Sequence, residues 1–467
     1  LKSVAGIAPR PAVVPPLDPN FCAAALANRA LRQMARKAGP APLRFALERS
    51  DGSVSVYETV ALPDNHPDAA LNLPYAERLA KFLLWQRGGC TLYVGGSPAI
   101  ADHLRRVYAP DGVRAFDYHF MSSVYERPFT IVGTEADRIP QARESSSPLG
   151  RHLDGCRVGF DLGASDRKAS AVIDGQPVFS EEVPWDPRNQ SDPQYHYDGV
   201  MHSIRRAAEH LPRLDAVGGS AAGVYIANRV RVASLFRGVP KDVFEEKVAG
   251  MFTRIGEELG VPLEVVNDGE VTALAGSMSL EDNPVLGVAM GSSQAAGYVT
   301  EEGNITGWLN ELAFAPVDYR PDAPADEWSG DIGCGVQYFS QQGAIRIAEA
   351  AGVRFEDGLG LPQKLEALQA MMREGRPHVR QVYETIGACL GYAVAHYADF
   401  YALKHILVLG RVTTGTGGDI IVETAQKALR LDFPELADRV NLALPDEKAR
   451  RVGQSIAAAS LPALRAA

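Results

Sequence analysis

The sequence predicts an α/β protein of two or three packed units. Three observations carry that expectation. Short apolar strands end at glycine or at an acid, helical spacing follows most of those ends, and the 467 residues exceed the roughly 250–300 at which single cores stop growing. Hydrophobic residues make up 46% and charged residues 22% of the chain, which excludes a disordered class. A net charge of −10 argues against a broad nucleic-acid or anionic-membrane surface, yet leaves room for a local phosphate pocket. Cys22, Cys90, Cys156, Cys334 and Cys389 are odd in number and never spaced as Cys-x-x-Cys, which fits a reducing compartment. No apolar run reaches the roughly 20 residues of a membrane span. The start, Leu1 to Pro19, has prolines but no signal-peptide core, so a cytoplasmic location is expected.

Taken in order, Ala23 to Lys37 reads as a basic helix, and the strand beginning at Leu43 leaves no room for a helix-turn-helix. Leu43 to Glu48 and Ser53 to Leu62 alternate around Asp51-Gly52 as a hairpin, Tyr75 to Gln86 has helical spacing, Cys90 to Val94 is a strand, and Gly95-Gly96 opens a helix from Pro98 to Tyr108. Gln141 to Arg151 collects Ser, Pro and Gly without an apolar period and reads as a linker. Val158 to Leu162 is a strand that turns at Gly163, and Ala169 to Ile173 returns and closes at Asp174-Gly175. Helices follow at about Asp198 to His210 and Asp242 to Leu259, with a buried strand near Ala216 between them. Leu263 to Val266 leads into a helix from Gly269, and Val285 to Met290 leads into a glycine and serine turn. Leu365 to Arg373 and His378 to Leu403 are long helices, and His405 to Leu409 precedes a glycine-rich turn and a last helix. The order helix, strand, glycine, helix from Tyr75 to Tyr108 recurs from Tyr383 to Leu429, a hint that the N-terminal part is a degenerate repeat.

Four strand ends carry glycine or acid in succession: Asp161-Leu-Gly163-Ala-Ser165, Asn267-Asp268-Gly269, Gly291-Ser292-Ser293, and Gly410 with Gly415, Gly417 and Gly418. Ligands of open α/β folds bind at the carboxyl ends of strands, so such positions can converge on one cleft although distant in sequence. A glycine turn admits phosphate to backbone N–H groups, and a carboxylate beside it suits Mg²⁺. Lys168 reads as an exposed strand lysine, and the tyrosines from Tyr383 to Tyr401 as packing residues.

This pattern resembles the two-lobed actin-like ATPase (ribonuclease H-like) fold. Within it the sequence is similar to the ROK family of sugar kinases and sugar-responsive repressors, from about Cys156 to the C-terminus. Asp161, Gly163 and Ser165 match the first phosphate motif, Asp-x-Gly-x-Thr, with serine keeping the hydroxyl. Asn267-Asp268 followed by Ala273 and Gly276 resembles Asn-Asp-x-x-x-x-Ala-x-x-Gly, which implies Asp268 as catalytic base and Asn267 as a sugar contact. Gly291 and Gly297 flank what resembles the second phosphate loop, here without its central glycines, and Gly410 ends the adenosine-side strand with Arg411 where further glycines are usual.

On the sugar side, Glu311 matches the glutamate of Gly-Glu-x-Gly-His, and Phe314 stands where that motif has a zinc-binding histidine. The zinc cysteine cluster falls on Ser329 to Ser340, where only Cys334 remains. One cysteine cannot make a four-ligand structural site, so no zinc is expected. Gln337 lies near a family glutamate that touches the sugar. The resemblance thus implies 1–150 as an extra N-terminal α/β region, 151–275 as the first ATPase lobe and 276–467 as the second. It also implies ATP and Mg²⁺ as cofactors, Asp161 holding Mg²⁺ directly or through water, and Gly163, Ser165, Gly291, Ser292, Ser293 and Gly410 on the nucleotide. Phosphorylation of a sugar or polyol by a homodimer is the expected activity, and a non-catalytic sugar sensor on the same scaffold is the alternative.

Overall fold

The computed structural model describes residues 4–144, 146–147, 149–445 and 447–464. Leu1 to Ser3 of the proline-bearing start, and Ser145 and Pro148 of the expected linker, lie outside the described residues. The N-terminal region contains α1 (Ala24–Ala38), β1 (Ala41–Glu48), β2 (Val54–Ala61), α2 (Asn72–Arg87), β3 (Thr91–Gly95), α3 (Pro98–Val107), α4 (Ala115–Tyr125) and β4 (Thr130–Thr134). Then follow β5 (Ser146–Ser147), β6 (Cys156–Leu162), β7 (Asp166–Ile173), β8 (Gln176–Pro184), α5 (Pro193–Ala208), β9 (Ala216–Ala221), β10 (Val224–Ile226), β11 (Arg229–Val232), α6 (Lys241–Val243), α7 (Met251–Leu259), β12 (Leu263–Asn267) and α8 (Asp268–Leu280). The remainder is β13 (Val285–Met290), β14 (Gln294–Val299), β15 (Ile305–Thr306), α9 (Gln341–Ala350), α10 (Leu361–Arg373), α11 (Pro377–Tyr397), β16 (His405–Leu409), α12 (Thr416–Asp432), α13 (Pro434–Ala437), β17 (Asn441–Ala443) and α14 (Glu447–Ala459). No helix among the described residues is long and apolar enough to cross a membrane.

The chain forms two compact units that interleave in sequence. The first comprises Leu1–Ser145, Val288–Ala296 and Trp308–Leu444, and the second Ser146–Gly287, Gly297–Gly307 and Pro445–Ala467. Consecutive segments divided at 150/151 and 275/276 therefore do not coincide with the compact units. The β13–β14 hairpin leaves the second unit and returns to it, and α14 ends the chain there.

The second unit is built on a five-stranded sheet in the order β12-β9-β6-β7-β8. β6, β7 and β8 are antiparallel neighbours, while β6, β9 and β12 run parallel. This agrees with the ribonuclease H-like arrangement expected. Every residue of β6 is buried, because both faces are covered. Val158, Phe160 and Leu162 point into a core with Val200 and Ile204 of α5 and Phe252 and Ile255 of α7. On the other face α14 lies directly on the sheet. A Cβ on Gly159 would run into the backbone of Ser455, and one on Gly218 into that of Ala458. Arg157, also on that face, donates to the Pro462 carbonyl at 2.7 Å and so receives the end of α14.

Several elements differ from the sequence reading. The expected helix from Asp242 to Leu259 is broken into α6, a wider turn over Phe244–Val248 and α7, with Gly250 as the N-cap of the last. β10 and β11 turn through Ala227 and Asn228, both at positive φ (51° and 60°), a conformation usually signalled by Asn-Gly. Asn228 repays its strain by bonding the edge of β12, accepting from Val265 N and donating to Leu263 O, each at 2.8 Å.

The first unit contains the sheet β2-β1-β3-β4, with β1–β2 and β1–β3 antiparallel and β3–β4 parallel. Helix α2 is buried along most of its length, including Lys81. Helix α11 ends at Tyr397, short of the expected Leu403, and packs against α12 through Gly387 and Gly391, whose Cβ atoms would sit 2.6 Å from the carbonyls of Ile421 and Ala425. β16 lies between β17 and β13.

Candidate functional site

In the second unit Asp161 sits near the carboxyl end of β6, opposite Ser220 of β9 and Lys168 of β7. The Ser220 hydroxyl donates to Asp161 Oδ1 at 2.6 Å. Burial pushes the Asp161 carboxyl up to about 6; the Ser220 hydrogen bond opposes that rise and the negative charge of Asp268 adds to it. Lys168 is half-buried and lies 3.6 Å from Glu182.

Asp268 opens α8, and four features fix its place. Asn267 caps the helix, accepting from Gly269 N at 2.7 Å while its amide donates to Gly223 O at 2.7 Å. Gln454 of α14 donates to Thr272 Oγ1 at 2.6 Å. Gly287 packs against Ala273, and Gly297 admits the backbone of Gly269 where no side chain would fit. The Asp268 carboxyl is raised by burial, and the Gly269 N–H, 3.0 Å from its Oδ1, offsets part of the rise. The Tyr225 phenol is pushed up by burial and by Asp268. Both polar atoms of Asn267 hold backbone, so its observed task is to position Asp268.

Gly163 and Ser165 both take part in the β6–β7 turn. The Gly163 N–H donates to Asp166 O at 2.9 Å to close the β6–β7 turn, and its carbonyl accepts from Trp185 Nε1 at 2.8 Å. Ser165 Oγ donates to Asp166 Oδ2 at 2.9 Å. A tight turn must satisfy its own N–H first, which leaves the exposed serine hydroxyl as the more available group.

In the first unit the structure brings Gly291 and Gly410 together. Gly410, at φ 100°, has its Cβ position within 2.5–2.7 Å of the Met290 backbone, immediately before Gly291. The Gly291 N–H donates to Ser293 O at 2.9 Å and its carbonyl accepts from Gln341 N at 2.8 Å, while Ser292 and Ser293 are exposed. Arg411 is exposed beside them, its carbonyl accepting from Gln369 at 2.8 Å.

Glu311 and Gln337 lie on neighbouring segments of that unit. Glu311 N donates to Trp85 O at 2.9 Å, and the short turn after it packs on the turn bearing Gln337, with Gly335 N bonded to Ala315 O at 2.9 Å. Gln337 is buried. Phe314 sits among Trp85, Phe116 and Phe120, an apolar setting with no ligand atom to offer. Burial pushes the Cys334 thiol up to about 12, the reverse of what a zinc thiolate needs. Among the described residues no group of three or more His, Cys, Asp or Glu is placed to hold a metal. The residues present do not fit structural zinc.

Sequence reasoning missed Ser220, Tyr225 and the clamp on α8. The run Gly218-Gly219-Ser220 with Gly223 was the available signal, since glycines flanking one hydroxyl on a buried strand mark close approach.

No family model and no curated protein sequence matches the chain. Among solved structures it is similar to the ROK hexokinase from Thermus thermophilus, with a TM-score of 0.51 and 18% identity over 65% of this chain and 97% of that one. It is also similar to a ROK-family transcriptional regulator described as a homologue of the E. coli MLC protein, with a TM-score of 0.50 and 16% identity over 65% of this chain and 78% of that one. These likenesses define the class: the chain has the actin-like ATPase (ribonuclease H-like) fold. It has that fold in the form taken by ROK-family proteins, with an additional α/β region at its N-terminus.

Proposed function

We propose that this chain is a divergent ROK-family kinase that phosphorylates a hydroxyl of a sugar or sugar-like polyol with ATP, Asp268 serving as general base. The observation that carries the reading is the pair of raised carboxyls, Asp161 and Asp268, at two strand ends of one unit. A carboxylate whose pKa is raised binds a proton more readily than an ordinary one, as a general base must. Asp268 accepts the proton of the attacking hydroxyl, and the Asn267 cap and Gly297 hold it in place. Asp161, a hard oxygen donor steadied by Ser220, suits Mg²⁺ directly or through water. When bound, ATP supplies the phosphoryl group and Mg²⁺ the charge neutralisation on which such transfer depends.

With the N–H groups of Gly163 and Gly291 already donated, the phosphate contacts in this reading fall to the hydroxyls of Ser165 in one unit and of Ser292 and Ser293 in the other, with Gly410 ending the adenosine-side strand. Glu311 and Gln337 supply the sugar contacts. In this reading 1–150 is an added region, the remainder of the chain supplies the two lobes, and the enzyme works as a cytoplasmic homodimer without nucleic-acid or membrane partners. ADP release across a sugar panel tests it: turnover stimulated by one sugar and lost in Asp268→Asn is expected, whereas no stimulation by any sugar together with no ATP binding overturns it.

A non-catalytic sugar sensor is the second reading, favoured by the Gly291 N–H being tied to Ser293 and by exposed Arg411 at the end of β16. It predicts sugar binding without transfer, and any Asp268-dependent transfer rules it out.

A further inference from the structure

The segment 329–340, on which the family's zinc cysteine cluster falls, is fastened in the first unit by a buried charge cluster instead. Asp331 Oδ2 lies 2.9 Å from Arg78 Nη1, 2.9 Å from Arg114 Nη1 and 3.3 Å from Lys81 Nζ. Lys81, with none of its surface exposed, also lies 3.1 Å from Asp117 Oδ1, which accepts from Trp85 Nε1 at 2.8 Å. Glu77 pairs with Arg114 at 2.8 Å. Arg78, Lys81 and Arg114 thus face Glu77, Asp117 and Asp331, a balance without which buried charges would be strongly destabilising. The cations come from α2 and from the residue before α4, so the added N-terminal region provides the grip.

Rigid links run from Asp331 to the sugar-side residues. Its carbonyl accepts from Asp326 N at 2.8 Å. Two residues on, Gly333 takes φ 70° and presses on the Asp318 carbonyl, where any side chain would collide. Gly335 N then bonds Ala315 O at 2.9 Å, tying the turn of Gln337 to the turn that follows Glu311.

We propose that Asp331, gripped by Arg78, Lys81 and Arg114, is the positioning residue of the sugar side, and that the N-terminal region supplies by ion pairing the fastening that zinc would give. The kinetic part rests on the kinase reading above; the exchange and metal parts do not.

The test compares the full-length chain with Asp331→Asn, Arg78→Met and the charge-keeping Arg78→Lys. Hydrogen exchange of peptides spanning 331–338 is expected to speed up about tenfold or more in the first two variants while β6 and β9 stay protected, and Arg78→Lys restores much of the protection. The KM for the best hexose of the panel rises about tenfold, with kcat and the fluorescent-ATP Kd within about threefold of the parent. Metal analysis finds no stoichiometric zinc, and dialysis against EDTA leaves the exchange unchanged. Unaltered exchange in both variants, an unaltered hexose KM, or stoichiometric zinc whose removal loosens 331–338 overturns the proposal. Should Asp331→Asn fail to fold, the Arg78 pair decides; should the parent phosphorylate no hexose, the kinetic arm drops out and exchange and metal content decide.

Discussion

Ser220 and Asp161 face each other in the parallel β6–β9 register, and the serine hydroxyl donates to the carboxylate across 2.6 Å. The bond favours the ionised form of an acid that burial is pushing toward neutral. Ser220→Ala removes it. A hydrogen bond to a charged group contributes roughly 1.5–3 kcal/mol, so the Asp161 carboxyl should move up by about one to two further pKa units. The acid limb of the kcat/KM profile between pH 5 and 9 shifts upward accordingly, with little change on the alkaline side.

Asp161→Asn is expected to abolish turnover and yet stabilise the fold at alkaline pH. A carboxyl raised from 3.8 to about 6 binds its proton more tightly in the folded state than in the unfolded one. Its ionisation therefore weakens the fold progressively as pH rises through that window, by roughly 2–3 kcal/mol once complete. The amide carries no such penalty. Thermal melts should show the variant above the parent at pH 8, with the gap closing toward pH 4.

Gly297→Ala places a methyl group against the backbone of Gly269 and the Cα of Glu270. The first turn of α8 must move, with a loss of about 1–3 kcal/mol. Because that turn carries Asp268, kcat should fall by more than the melting shift alone explains, and chemical denaturation beside steady-state kinetics separates the two.

His396 lies fully buried against Phe82, Phe400 and Tyr319. Burial, aided by Arg32, lowers its pKa to about 3. The folded state thus refuses a proton that the unfolded chain accepts below about 6.5, so stability falls as pH drops from there toward 3. His396→Phe should remove that loss and gain roughly 2 kcal/mol over the parent at pH 5, with little difference at pH 8. Denaturant titrations at the two pH values check it.

The strand ends were legible because each couples a run of apolar residues to a local breaker. Asp161, Asn267-Asp268 and Gly410 all fall where such an end was expected. What each backbone group does there was not legible, since whether the Gly163 N–H meets a ligand or Asp166 depends on turn closure rather than residue type. β8 escaped notice because its residues alternate among exposed positions without an apolar face. Helix α14 escaped because it buries alanines against glycines on distant strands, a fit that needs both partners in view. The cluster around Asp331 joins three distant stretches of chain, and in sequence Lys81 looks like one more charged helix residue.

The placement of α14 also has a consequence for biosynthesis. Ser455 of that helix meets Ser170 of β7 across 285 residues of chain. The sheet that carries Asp161 therefore emerges from the ribosome long before the helix that roofs it, and such long-range closure is slow. While the intervening chain is being made, the glycine-lined face of β6 and β9 lacks the helix that covers it in the folded protein.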